Sequence, residues 1–132
     1  MTTTYKTLPV TELRASLPKF KRQVQLGLKR IAATYYGDPV GFLVPIEDIE
    51  SLNFKTTEDI SLTLFRSELT IFWERLQVDL DCVFITYHSR RTMGFVSPRF
   101  ISDLPISVDT EIARKLLGVK SEIFDLKHSE NL

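Results

Sequence analysis

The stretch ATYYGDPVGFLVP, Ala33–Pro45, reads as a β-hairpin in which an apolar strand enters Gly37-Asp38-Pro39 and returns as Val40-Gly41-Phe42-Leu43-Val44. Apolar runs flanking a Gly/Asp/Pro cluster mark two strands joined by a tight turn. A worn version, ITYHSRRTMGFVSP, occupies Ile85–Pro98. Working outward from this pair, Leu8–Val40 aligns without a gap on Ile60–Thr92 at an offset of 52, and one extra residue then brings Gly41–Pro45 onto Gly94–Pro98. Eleven aligned pairs are identical, among them Thr11/Thr63, Arg14/Arg66, Phe20/Phe72, Gln25/Gln77 and Tyr35/Tyr87. Register kept through both a helix and a hairpin is the mark of an internal repeat. The expected organisation is one module over residues 1–53, a diverged second module over 54–104, and a helical C-terminal segment over 105–132.

Within the first module, TYKTL alternates as a short strand and Thr11 is placed to cap a helix. Leu13, Leu17, Phe20, Val24 and Leu28 form its apolar stripe. Pro18 falls inside it, so the expectation is two abutting helices over 11–17 and 18–27, with Pro18 in the first turn of the second. Strands over 30–36 and 40–44 follow, then a short helix after Pro45 carrying Glu47, Asp48 and Glu50 near its start. Those acids fit a helix macrodipole or, alternatively, a metal cluster. In the second module the stripe becomes Phe65, Leu69, Phe72, Leu76 and Leu80, whereas Thr57-Glu58-Asp59 reads as a helix start rather than a strand. Lys19 and Lys21 become Ile71 and Trp73, an apolar surface that needs a cover from the first module, the C-terminal segment or a partner. Residues 105–132 add further apolar groups, Ile112 with Leu116 and Ile123 with Phe124, that need a partner or fold back.

The totals bound the function. A chain of 132 residues is one compact domain or two small units sharing a core. No apolar run approaches the roughly 20 residues needed to span a bilayer, and a single cysteine, Cys82, suits a reducing compartment. These features point to a cytoplasmic protein with no membrane partner. Residues 1–37 carry seven basic side chains against Glu12 alone, a net +6, so the other 95 residues of this neutral chain sum to −6. Such asymmetry fits a polyanion-facing surface, or simply a solvated helix face. His88, His128 and Cys82 lack zinc-ligand spacing, and there is no phosphate-binding loop, dinucleotide fingerprint or nucleophile elbow. The expectation is a protein that is not an enzyme and needs no metal or cofactor.

Val10–Leu52 resembles the N-terminal domain of the Phd/YefM (prevent-host-death) type II antitoxins. The residues that carry the resemblance are Thr11-Glu12-Leu13-Arg14-Ala15-Ser16-Leu17 and Tyr35-Tyr36-Gly37-Asp38-Pro39-Val40-Gly41-Phe42-Leu43-Val44-Pro45. The resemblance implies an α+β fold, a small antiparallel sheet with helices, whose two tandem copies form a pseudo-dimer. It also implies a DNA-binding repressor of its own toxin–antitoxin operon, with a C-terminal segment that neutralises a toxin. The start of the first helix and the hairpin turn would then face double-stranded DNA, through Thr11, Arg14 and Ser16. Arg66 would be the counterpart of Arg14, with Lys6, Arg22, Arg90 and Arg91 around them. The first hairpin departs from the family's basic turn, with Tyr35, Tyr36 and Asp38 where arginines and a lysine are usual, while Arg90 and Arg91 restore basic charge at the second. Arg14 and Arg66 could equally pair with acids or cover a sheet edge. The alternative function is an adaptor or subunit of a larger assembly, homodimeric or otherwise, with Ile71, Trp73, Ile112, Leu116, Ile123 and Phe124 as partner-binding residues.

Overall fold

Parallel neighbouring strands need a crossover between them, and in this chain helices supply it twice. The computed structural model describes residues 5–104; the C-terminal segment, with Ile112, Leu116, Ile123 and Phe124, lies outside the described residues. Strand β1 (Tyr5–Pro9) leads into α1 (Val10–Gln25), which returns the chain to β2 (Arg30–Tyr35), parallel to β1. A tight turn gives β3 (Asp38–Pro45), antiparallel to β2. The same order follows with β4 (Thr57–Ser61), α2 (Leu62–Ser67), α3 (Leu69–Leu76), β5 (Cys82–Tyr87) parallel to β4, and β6 (Arg90–Val96) antiparallel to β5. β3 pairs antiparallel with β6, so the six strands make one open sheet in the order β1-β2-β3-β6-β5-β4. The fold is α+β. Its sheet is mixed rather than the expected small antiparallel one, because a parallel crossover opens each half.

Strand registers recur at an offset of 52. Tyr5 faces Arg30 as Thr57 faces Cys82, and Ile31 faces Leu43 as Val83 faces Phe95. The irregularity after Ala33 recurs after Ile85. This removes the extra residue from the sequence alignment: Gly41 corresponds to Met93, Phe42 to Gly94 and Pro45 to Ser97. The turns are Tyr36-Gly37 (φ 50° and 84°) and His88-Ser89 (φ 50° and 65°). Positive φ at both central residues is what a type I′ hairpin requires, and it lets Asp38 and Pro39 start β3 instead of forming the turn.

The helices cover one face of the sheet. Leu13, Leu17, Phe20 and Val24 of α1 join Phe65, Leu69, Phe72 and Leu76 over the central Leu43 and Phe95. The opposite face buries Tyr5, Phe42, Val44, Cys82, Phe84 and Val96 under the segments that follow β3 and β6, including Ile49 and Leu104. Leu28, expected in the stripe, is 75% exposed because α1 ends at Gln25, whereas its counterpart Leu80 is fully buried. Among the described residues no helix is long and apolar enough to cross a membrane.

Several local expectations change. α1 is unbroken and contains Pro18, while the second half, without a proline, breaks at Glu68 between α2 and α3. Pro18 has no N–H for the Arg14 carbonyl four residues back; that carbonyl instead accepts from Arg66 Nε at 3.2 Å. α1 starts at Val10 after Pro9, so Thr11 is not its cap, while Ser61 Oγ caps α2 by accepting the Leu64 N–H at 3.1 Å. Thr57-Glu58-Asp59 forms β4, since pairing with β5 overrides local propensity and the acids find arginines, Glu58 with Arg75 and Asp59 with Arg91. The acids after Pro45 lie in and just after a three-residue 3₁₀ turn (Ile46–Asp48), too short for a macrodipole; Asp48 forms a bidentate pair with Arg30, its Oδ1 2.7 Å from Nη2.

Two outcomes follow for stability. A Cβ on Gly41 would enter the Phe95 ring, so Gly41→Ala should cost about 1–3 kcal/mol in urea unfolding; an unchanged midpoint would contradict this packing. Burial alone would raise the Asp81 carboxyl, but the Lys55 and Thr56 N–H groups and Arg99 outweigh it and hold it below its ordinary value of 3.8. A depressed carboxyl contributes stability above its unfolded pKa and loses it as pH falls through the folded one. Stability should therefore drop below about pH 4, and Asp81→Asn should flatten that acid limb in a pH series of melting temperatures.

Candidate nucleic-acid interface

Three of the four basic residues of α1 fall on one side by helical spacing, Lys19 lying away from them. Arg14, Lys21 and Arg22 stand at i, i+7 and i+8, with Pro18 between them. Beside that side lies α2, held by the Arg66–Arg14 carbonyl bond. Between the two helices runs an open groove of about 440 Å³ lined by Arg14, Pro18, Lys21, Leu62, Thr63, Arg66 and Ser67. Among the described residues, no acid lies within 4 Å of the charged groups of Arg14, Lys21, Arg22 or Arg66; the arginines with acidic partners are Arg30, Arg75, Arg91 and Arg99. The groove therefore presents three cations and two hydroxyls, and no acid is among its described lining residues. A guanidinium has five N–H donors, so the one that Arg66 gives to the carbonyl leaves others available.

The remaining residues expected at the interface are dispersed. Thr11 lines a separate hollow of about 350 Å³ between the start of α1 and the first hairpin, with Thr34, Tyr35 and Tyr36. Ser16 is half-buried in α1. Lys6 stands over the Phe20 ring together with Lys19 and Lys29, 4.7–5.6 Å from its centre, and none of the three lines the groove. Arg91 is bound to Asp59 by hydrogen bonds of 2.8 and 2.9 Å and lies 3.9 Å over the Phe84 ring, on the sheet face away from the helices. Its Asp59 bonds, against some desolvation, hold it still more firmly protonated than usual. Arg90 is exposed at the second turn.

Of the apolar residues expected to seek a cover, Trp73 already has one. Its ring lies 4.9 Å from that of Tyr35, tilted 34°, and it packs against the helix-side core. Ile71 remains 52% exposed. One glutamine from each half reaches across to the other: Gln25 Nε2 donates to Thr92 Oγ1 at 3.4 Å, and Gln77 Nε2, just after α3, to the Val40 carbonyl at 2.8 Å. Lys21, Thr63 and Ser67 line the groove although sequence patterning does not single them out for it. Lys21 is visible in the basic count and Thr63 in the identity with Thr11, but their meeting depends on how the helices pack.

Comparison with protein-family models, curated proteins and solved structures finds no match to this chain.

Trp73 joins the α3 helix to the first hairpin, so Trp73→Ala should lower stability by about 1–3 kcal/mol in chemical denaturation. No change would mean that the Tyr35 contact contributes nothing to holding the halves together.

Proposed function

We propose that this chain is a DNA-binding regulator of the Phd/YefM type, in which two modules of one chain supply the two-fold surface that two chains would otherwise provide. The observation that carries the reading is the meeting of Arg14 and Arg66, 52 residues apart, beside a cationic groove with no acidic partner within 4 Å among the described residues. The recurrence of every strand register at that same offset supports a pseudo-two-fold arrangement about the Leu43–Phe95 pair. In such an arrangement the groove lies close to the axis, where a duplex would be centred. Lys and Arg contacts to phosphates would supply most of the affinity, with salt-dependent strength. An arginine reaching a guanine edge would add about 1–3 kcal/mol of discrimination.

Fluorescence anisotropy with duplex DNA from the chain's own promoter, at several salt concentrations, tests the reading. Arg14→Ala/Lys21→Ala leaves the Arg66–carbonyl bond in place, so weaker binding is not explained by its rupture. The expected result is specific binding whose log–log salt slope is shallower by about 2 in the double variant, roughly 0.9 for each phosphate no longer neutralised. Binding no tighter than to random DNA would overturn the reading. The rival is then an adaptor that docks through exposed apolar side chains such as Ile71 and Tyr36, the latter 90% exposed.

A further inference from the structure

The two hairpin turns occupy equivalent places and share one backbone conformation, yet they differ in charge. Each begins with an aromatic pair in edge-to-face contact: Tyr35 and Tyr36 at 4.6 Å and 76°, Tyr87 and His88 at 4.2 Å and 72°. The residue that leaves the turn is Asp38 in the first hairpin and Arg90 in the second, both exposed. Neither has an opposite charge within 4 Å among the described residues.

Their spacing follows from the register. Leu43 and Phe95 face each other at the centre of an antiparallel pair, so the strands run back from that point in opposite directions to the two turns. Gly37 and Ser89 each lie six positions back, which at about 3.3 Å per residue, less the bulges, sets the turns roughly 30–40 Å apart. One turn of B-DNA is about 34 Å, the usual separation of half-sites read by a two-fold protein.

Two identical chains would present identical turns and so read a palindrome. This chain presents unlike ones. We infer that its partner is a non-palindromic duplex bound in a single orientation, an inference that rests on the DNA-binding reading above. The Arg90 turn lies against phosphate on one flank. On the other flank Asp38 is repelled by the backbone, and the turn meets base edges instead, where a carboxylate accepts from cytosine N4 and the exposed Tyr36 ring offers an apolar contact.

The test uses the full chain and duplex DNA from its own promoter. Cys82 is fully buried, so a cysteine introduced at a turn is the accessible thiol. His88→Cys carrying a tethered iron–EDTA group should cut on one flank of the site and not on the other. In parallel, Arg90→Gln should make the salt slope shallower by about one, while Asp38→Asn should not. Specific binding of the His88→Cys variant with equal cutting of both flanks, or with no cutting, overturns the single-orientation inference and leaves DNA binding intact. So does an unchanged slope in Arg90→Gln. Absence of specific binding by the wild-type chain overturns both.

Discussion

The antiparallel pairing of β3 with β6 is the interaction on which the rest of the structure depends. It places Leu43 opposite Phe95, both fully buried, at the centre of the sheet. A three-stranded half on its own would leave a long apolar strand as an open edge, which templates further pairing. Joined, the halves move the edges out to β1 and β4, strands of five residues carrying Lys6, Glu58 and Asp59. Short, charged edges resist edge-to-edge association. Gly41 is part of the same arrangement, since its missing side chain is the space that the Phe95 ring occupies.

The helices reinforce this joint by reaching across it. Gln25 bonds into the second half and Gln77 into the first, and Trp73 rests on Tyr35. Pro18 has a further consequence, because it frees a carbonyl that draws the Arg66 side chain to Arg14. A residue that would ordinarily weaken a helix here helps to assemble a cationic groove. Charge is segregated in the same way: Asp48, Glu58, Asp59 and Asp81 are paired with Arg30, Arg75, Arg91 and Arg99. The neutral total therefore conceals a helix face whose cations have no acid within 4 Å among the described residues, and acids that are partly engaged. That segregation is what makes a polyanion the partner favoured by the proposed function.

Much was determined by the sequence alone. The 3.6-residue spacing of Leu13, Leu17, Phe20 and Val24 and the Gly37 turn defined helix and hairpin. The offset of 52 was legible because apolar periodicity and identical polar residues such as Gln25/Gln77 coincided. Those are local signals, set by backbone geometry and by which side chains must leave water. Other features were decided only by the tertiary structure. Thr57-Glu58-Asp59 is a strand because β5 offers it a parallel partner and two arginines pair with its acids. Pro18 lies within an unbroken helix, and the carbonyl it orphans, that of Arg14, accepts from Arg66, a side chain 52 residues further along the chain than Arg14. The hairpin repeat has no insertion because strand register, not residue identity, sets the correspondence. Arg91, basic in sequence, is committed to Asp59 and the far face, whereas Lys21 enters the groove. In each case the outcome depends on a partner distant in the chain, and a partner's position is a property of packing rather than of local sequence.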